Sequence, residues 1–130
     1  MTNSNDTSKA FQYAISLCDK WRHEFVTLEH VLYAIAEQEP FVEAASTAEL
    51  DARAIQEKLR PELTKMEQVP EGVSYTIEGS EQFSEMMAHA VKQAQFAESD
   101  ELDIPHIISA MMELKESLAA YCLHLAVGDD

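Results

Sequence analysis

The chain has 130 residues, 46% of them hydrophobic, and a formal net charge of −15 at pH 7. This length and hydrophobic content predict one compact domain that buries a core without the help of disulfides. The negative charge argues against nucleic acid and anionic membrane surfaces as partners, and it favours a basic protein partner instead.

The N-terminal part of the chain is predicted to hold a short tail and two helices. Residues 1–7 are expected to be flexible, after which apolar residues at helical spacing from Phe11 to Trp21 mark the inner face of a first helix. Thr27 can cap a second helix, which should stop before Pro40 because proline disfavours a helical residue in front of it.

Two further helices complete the first half of the chain. Pro40 suits the first turn of a short third helix. Asp51 can cap a fourth helix, in which Pro61 is expected to cause a kink or an early end.

A long connection and three more helices follow. Residues 66–79 lack a helical period, and Val73–Ile77 within them is the one short strand candidate. Ser80 and Asp103 can cap a fifth and a sixth helix, and a last helix is expected to end near Val127.

The segment over residues 24–35 recurs in altered form 76 residues later, without a gap. The offset aligns Val26 with Leu102, Thr27 with Asp103, Leu28 with Ile104, His30 with His106, Val31 with Ile107 and Ala34 with Ala110. The chain is therefore predicted to be a duplicated unit. We expect an all-α domain over residues 8–127, with seven or eight helices in two pseudo-twofold-related bundles. Repeat 1 covers about 8–65 and repeat 2 about 80–127, joined by the 66–79 linker.

Each repeat places a histidine three residues after the helix cap, His30 after Thr27 and His106 after Asp103. A capping box has Glu or Gln at this position. A histidine ring can turn back toward the cap, so both histidines are predicted to be architectural.

No familiar catalytic or metal-binding motif occurs in the sequence. The three glycines are isolated, so the chain lacks a phosphate-binding loop and is not expected to hydrolyse ATP. The spacing of Glu85 and His89 is common by chance, and we predict no catalytic residue, metal or cofactor. The alternative from another class is a small metal- or thiol-dependent helical enzyme that uses Cys18, His23, His89 or His106.

Several features favour a cytoplasmic protein. The polar N-terminus does not look like a signal peptide, and no stretch is long and apolar enough to cross a bilayer. Cys18 and Cys122 lie among apolar neighbours, as buried thiols do in a reducing compartment.

The acidic excess is concentrated in residues 66–130, which carry 13 acidic and 2 basic side chains.

Two methionine pairs, Met86–Met87 and Met111–Met112, lie on predicted helices. Adjacent residues of a helix cannot both point inward, so one methionine of each pair is expected at the rim of the core. Because methionine adapts to varied partners, Met111 and Met112 are candidates for a substrate-binding groove. Core filling is the alternative.

The duplicated unit resembles the Clp amino-terminal domain, the double-repeat module that precedes the AAA+ rings of Clp unfoldases. The resemblance covers essentially residues 8–127. The segment Phe25–Ile35 is similar to the family pattern Thr-x-Glu-His-Leu-Leu-x-Ala-Leu, and both Arg22–Phe25 and Ala119–Tyr121 look like the ClpA branch in particular.

The resemblance implies a docking module rather than an enzyme. In the ClpA branch it would bind a ClpS-like adaptor, which delivers N-degron substrates, through residues that match Glu24 and Glu29. Unfolded proteins would then reach the ClpP peptidase through the AAA+ rings of a longer chain. The ClpC branch reads phosphoarginine with a second glutamate, but Pro105 occupies that position here, which argues against this activity.

Alternatives to this reading remain open. Glu29 can be an ordinary carboxylate in the first turn of a helix, and Glu24 a solvated one. A free-standing copy would compete for the adaptor or capture unfolded or modified segments directly. The isolated domain is expected to be monomeric.

Overall fold

Residues 2–126 form seven helices and four two-residue strands in the computed structural model, which describes this range apart from the side chain of Ala126. The helices are α1 (Asn5–Trp21), α2 (Leu28–Glu37), α3 (Glu39–Thr47), α4 (Ala52–Lys65), α5 (Glu81–Phe96), α6 (Ile104–Glu113) and α7 (Leu118–Ala126). The strands are β1 (Thr2–Asn3), β2 (Phe25–Val26), β3 (Glu78–Gly79) and β4 (Glu101–Leu102). The predicted all-α architecture is confirmed, and the predicted helix end at Val127 lies outside the described residues.

The duplication visible in the sequence is reproduced by the backbone. β1 pairs with β4 and β2 pairs with β3, both in parallel. Shifting β1 by 76 residues gives β3, and shifting β2 gives β4, so each pairing is the image of the other. The helix caps repeat as well: the Ser4 hydroxyl accepts the Thr7 N–H at 3.1 Å, and the Ser80 hydroxyl accepts the Phe83 N–H at 3.1 Å. In both pairs, a strand from the first half of the chain therefore lies beside a strand from the second half.

The start of the chain differs from the flexible tail predicted for residues 1–7. Thr2 and Asn3 pair with Glu101 and Leu102, and α1 already begins at Asn5. The Ser4 hydroxyl also donates to the Asp103 carboxylate at 2.8 Å. These contacts come from the other repeat, so local sequence could not reveal them.

Two local predictions in the middle of the chain need correction. Of the kink or early end predicted at Pro61, the early end is wrong, because Pro61 lies inside α4 and the helix continues to Lys65. The linker strand is Glu78–Gly79 rather than Val73–Ile77, because β2 provides its partner at that register.

The core lies between α1, α2, α4, α5, α6 and α7. Side chains that are fully shielded from solvent come from both repeats: Leu28, Leu32, Ile35, Leu59, Leu63, Met86, Ile107 and Met111. α4 packs against both α2 and α7, and thus joins the first repeat to the last helix. None of the helices within residues 2–126 combines the length and apolar character needed to cross a membrane.

Candidate functional site

The segment between α1 and α2 is held by backbone hydrogen bonds on both sides. The Arg22 carbonyl accepts the Val69 N–H at 2.8 Å, and the Glu24 carbonyl accepts the Glu78 N–H at 2.9 Å. His23, between them, is fully buried. The side chains of this segment therefore project from a fixed backbone, with His23 inward and Glu24 outward.

The cap histidines have the architectural role predicted from their spacing. The Thr27 N–H donates to His30 Nδ1 at 3.0 Å, and the Asp103 N–H donates to His106 Nδ1 at 3.0 Å. Each ring thus takes the place of the Glu or Gln of a capping box.

His30 also contacts His23, a pair that sequence reasoning did not identify. Their facing nitrogens, His30 Nε2 and His23 Nδ1, lie 2.9 Å apart, and both side chains are fully buried. Because His30 Nδ1 accepts the Thr27 N–H, the proton of His30 must be on Nε2, which donates to His23. Burial and the neighbouring His23 lower the pKa of His30 to about 4, and burial lowers the pKa of His23. Both rings are therefore neutral at physiological pH.

The other candidates for metal or thiol chemistry are dispersed. His89 Nδ1 lies 2.8 Å from a Glu113 oxygen rather than beside Glu85. The Cys18 thiol contacts the Phe25 carbonyl at 3.6 Å, and burial raises its pKa to about 12, so it stays protonated. Within residues 2–126, no three His, Cys, Asp or Glu side chains converge closely enough to hold a metal ion.

Glu29 has a partner inside the fold. Its Oε2 accepts the Ala119 N–H at 3.1 Å, so this carboxylate of repeat 1 caps the first turn of α7 in repeat 2. Burial raises the pKa of Glu29, while hydrogen bonds from Ala119 and Thr27 act in the opposite direction. The sequence interpretation as a first-turn carboxylate was incomplete, since Glu29 serves a second helix as well as its own.

Glu24 stands in a different environment. It is exposed, and it borders a cleft of about 310 Å³ together with Phe25 and the segment 66–70. Phe25 is 44% exposed, and Glu67 lines the same cleft. The cleft thus combines an accessible aromatic ring with an acidic border.

The two methionines proposed for a substrate groove separate in the structure. Met111 is fully buried in the core, so its assignment to a groove is wrong. Met112 is half-buried and borders an apolar cleft of about 480 Å³ with Phe41 and Ile108. The prediction that one methionine of each pair lies at the rim is confirmed, since Met86 is buried and Met87 only partly so.

Comparisons with known proteins agree with the two-repeat architecture. The sequence profile of the Clp repeat (R) N-terminal domain matches residues 2–126. No curated protein sequence matches the chain.

Solved structures share the fold at low sequence identity. The Hsp104 N-terminal domain from Candida albicans superposes with a TM-score of 0.82 at 16% identity, covering 100% of this chain and 84% of that one. The N-terminal domain of the ClpV1 ATPase from E. coli gives 0.78 at 20% identity, covering 96% and 76%. The N-terminal domain of the chaperone ClpD from Arabidopsis thaliana gives 0.68 at 10% identity, covering 98% and 86%.

Proposed function

The chain belongs to the Clp repeat N-terminal domain family, and from this premise we propose that it docks a ClpS-like adaptor for a ClpA-type ATPase in the cytoplasm. The adaptor would deliver N-degron substrates for unfolding and for degradation by ClpP. The chain itself would supply recognition only, while AAA+ modules of a longer protein would supply ATP hydrolysis.

The observation that carries this proposal is the cleft beside Glu24 and Phe25. Binding energy in protein interfaces is concentrated in a few aromatic or arginine anchors surrounded by polar residues. Phe25 is an accessible aromatic ring, and Glu24 and Glu67 provide an acidic border. This arrangement suits a partner that offers an apolar pocket or side chain next to basic groups.

The charge of the whole chain supports the same kind of partner. A net charge of −15 attracts a basic protein over a distance and raises its association rate. At physiological ionic strength this attraction reaches about 8 Å, so it depends strongly on salt. Charge would therefore set rate and orientation, and Phe25 would contribute most of the affinity.

Glu29 has a smaller part in this proposal than Glu24. Its carboxylate already accepts hydrogen bonds from the Ala119 N–H and from Thr27, so less of it is available to an adaptor. A substitution at Glu29 would also disturb the start of α7. Glu24 and Phe25 are therefore the informative positions for a docking test.

The test is a calorimetric titration of the domain with its ClpS-like adaptor at two salt concentrations. We expect Phe25→Ala to weaken binding by about thirtyfold, the effect of removing an interface anchor of about 2 kcal/mol. We expect Glu24→Lys to weaken it less, and to lose most of its effect at high salt.

The matched control is Glu85→Lys, which makes the same charge change at an exposed carboxylate on α5. Glu85→Lys should weaken the long-range attraction as much as Glu24→Lys does, but it should leave the contacts at the cleft unchanged. Equal weakening by both reversals would argue against a specific face, and failure of the folded wild type to bind the adaptor would contradict the proposal.

A second candidate function is direct capture of unfolded segments in the cleft beside Met112. The observation in its favour is the apolar surface shared by Met112, Phe41 and Ile108. Binding of an unfolded apolar peptide, followed by fluorescence anisotropy, should be lost in Met112→Glu and kept in Glu24→Lys. Met87→Glu, at another half-buried methionine, serves as the control. Binding that is kept in Met112→Glu and lost in Glu24→Lys would contradict capture in this cleft.

A further inference from the structure

Arg22 occupies a backbone conformation that normally favours glycine. It is the C-cap of α1, with φ 56° and ψ 47° in the left-handed region. Glu98, which is 76 residues further on, has φ 56° as well. A side chain in this region is strained, and such strain persists only where the surrounding structure compensates for it.

The side chain of Arg22 compensates for this strain by forming hydrogen bonds to the linker. Its Nε donates to the Val69 carbonyl at 2.7 Å, and its Nη2 donates to the carbonyls of Pro70 at 2.7 Å and Val73 at 3.2 Å. The guanidinium also lies over the Tyr75 ring, 5.2 Å from its centroid. One planar group thus fixes both sides of a turn in the linker.

Two of the residues that Arg22 binds, Val69 and Pro70, also line the cleft next to Glu24. Residues 66–70 line it together with Glu24 and Phe25. The linker forms no helix, and its described strand begins only at Glu78. Besides the backbone bond from the Val69 N–H to the Arg22 carbonyl, the side-chain contacts of Arg22 therefore hold this segment in the middle of a long connection that has no helix or strand there.

We propose that Arg22 is a positioning residue that holds the 66–70 wall in place, and thereby keeps the cleft ready for its partner. This inference rests on the proposed docking function. A wall that is already ordered does not have to lose conformational freedom when the partner binds, and such preorganisation raises affinity.

The sign of the charge effect separates this role from direct contact. Arg22 is a cation beside an acidic cleft, so its removal makes the face more negative. For a basic partner, loss of the charge alone would strengthen attraction. Weaker binding after removal of Arg22 could therefore not be explained by the lost charge, and a parallel loss of amide protection at Val69 and Val73 would assign it to the 66–70 segment.

The central variant is Arg22→Gly, which relaxes the left-handed backbone and removes the grip in one step. Arg22→Lys keeps the charge but lacks the planar fork that meets several carbonyls at once. The control is Glu98→Gly, which relaxes the same backbone conformation in the second repeat.

Two measurements are made on each variant: hydrogen exchange of the Val69 and Val73 amides, and calorimetric titration with the ClpS-like adaptor. In Arg22→Gly we expect amide protection to fall at least about tenfold and adaptor affinity to fall about tenfold. Arg22→Lys should change both in the same direction. Glu98→Gly should change neither.

Unchanged protection of the Val69 and Val73 amides in Arg22→Gly would overturn the proposal that Arg22 holds the linker. Lost protection with unchanged affinity would overturn the positioning role. If the folded wild type does not bind the adaptor, the proposed function fails and the docking part of this inference fails with it. Hydrogen exchange would still decide separately whether Arg22 holds the linker.

Discussion

The buried pair of His23 and His30 makes the stability of this domain depend on pH in a way that one substitution can test. In His30→Gln the new side chain does not titrate, yet its amide can accept the Thr27 N–H and donate to His23 Nδ1. Gln at this position also restores the usual capping box. The variant therefore removes the proton-binding site and keeps the hydrogen bonds.

The magnitude follows from the pKa of His30. Its folded pKa of about 4 lies below the unfolded value of 6.5, so between these values the unfolded chain binds the extra proton. This contribution is fully present above pH 6.5 and is lost as the pH falls toward 4. The full range corresponds to about 3 kcal/mol, of which about 2 kcal/mol is lost between pH 7 and pH 5. The lowered pKa of His23 acts in the same direction.

Urea unfolding at pH 5, 6 and 7 provides the measurement. The wild type should lose about 2 kcal/mol or more over this range, and His30→Gln should lose clearly less. Glu29 acts in the opposite direction, because its raised folded pKa destabilises the fold as the pH rises. It is present in both proteins, so it cancels in the comparison.

His106→Gln is the matched control, since it changes the equivalent cap histidine, which is only half-buried and is paired with no other histidine within residues 2–126. Its free energy of unfolding should depend on pH as that of the wild type does. If the free energy of unfolding of His30→Gln falls between pH 7 and pH 5 by as much as that of the wild type, the link between this buried pair and acid sensitivity is refuted.

Two further predictions concern stability. Glu29→Ala removes the acceptor of the Ala119 N–H and should cost about 0.5–2 kcal/mol in thermal unfolding, whereas Glu29→Gln should retain most of the stability; equal losses would contradict the capping role. Met111→Ala should cost about 2–5 kcal/mol in urea unfolding because it leaves a cavity in the core, whereas half-buried Met112→Ala should cost about 1 kcal/mol; comparable costs would contradict their different burial.

Features that depend on neighbouring residues were predicted well. The caps at Thr27, Ser80 and Asp103 are confirmed, and so is the duplication at an offset of 76 residues. A cap needs only a side chain and a backbone N–H two or three residues away, so the sequence contains all of its partners. That one methionine of the Met111–Met112 pair lies at the rim follows from the geometry of a single helix in the same way, whereas the structure decided that it is Met112.

Contacts between distant parts of the chain were missed. The capping of α7 by Glu29 spans 90 residues. His23 and His30 are only seven residues apart, but a non-helical segment separates them, so no helical spacing indicates that their rings meet. In each case the partner is brought near by the packing of other elements.

The sequence by itself determined the family, the all-α class, the two repeats and most helix starts, because these depend on local capping and on a periodic apolar face. Only the tertiary structure decided which carboxylates remain available to a partner. Glu24 and Glu29 both match adaptor-binding positions in the sequence, but the Ala119 N–H of α7 engages Glu29, whereas Glu24 borders an open cleft. The physical reason is that the exposure of a side chain depends on how elements far apart in the sequence pack together, and a local sequence pattern does not specify that packing.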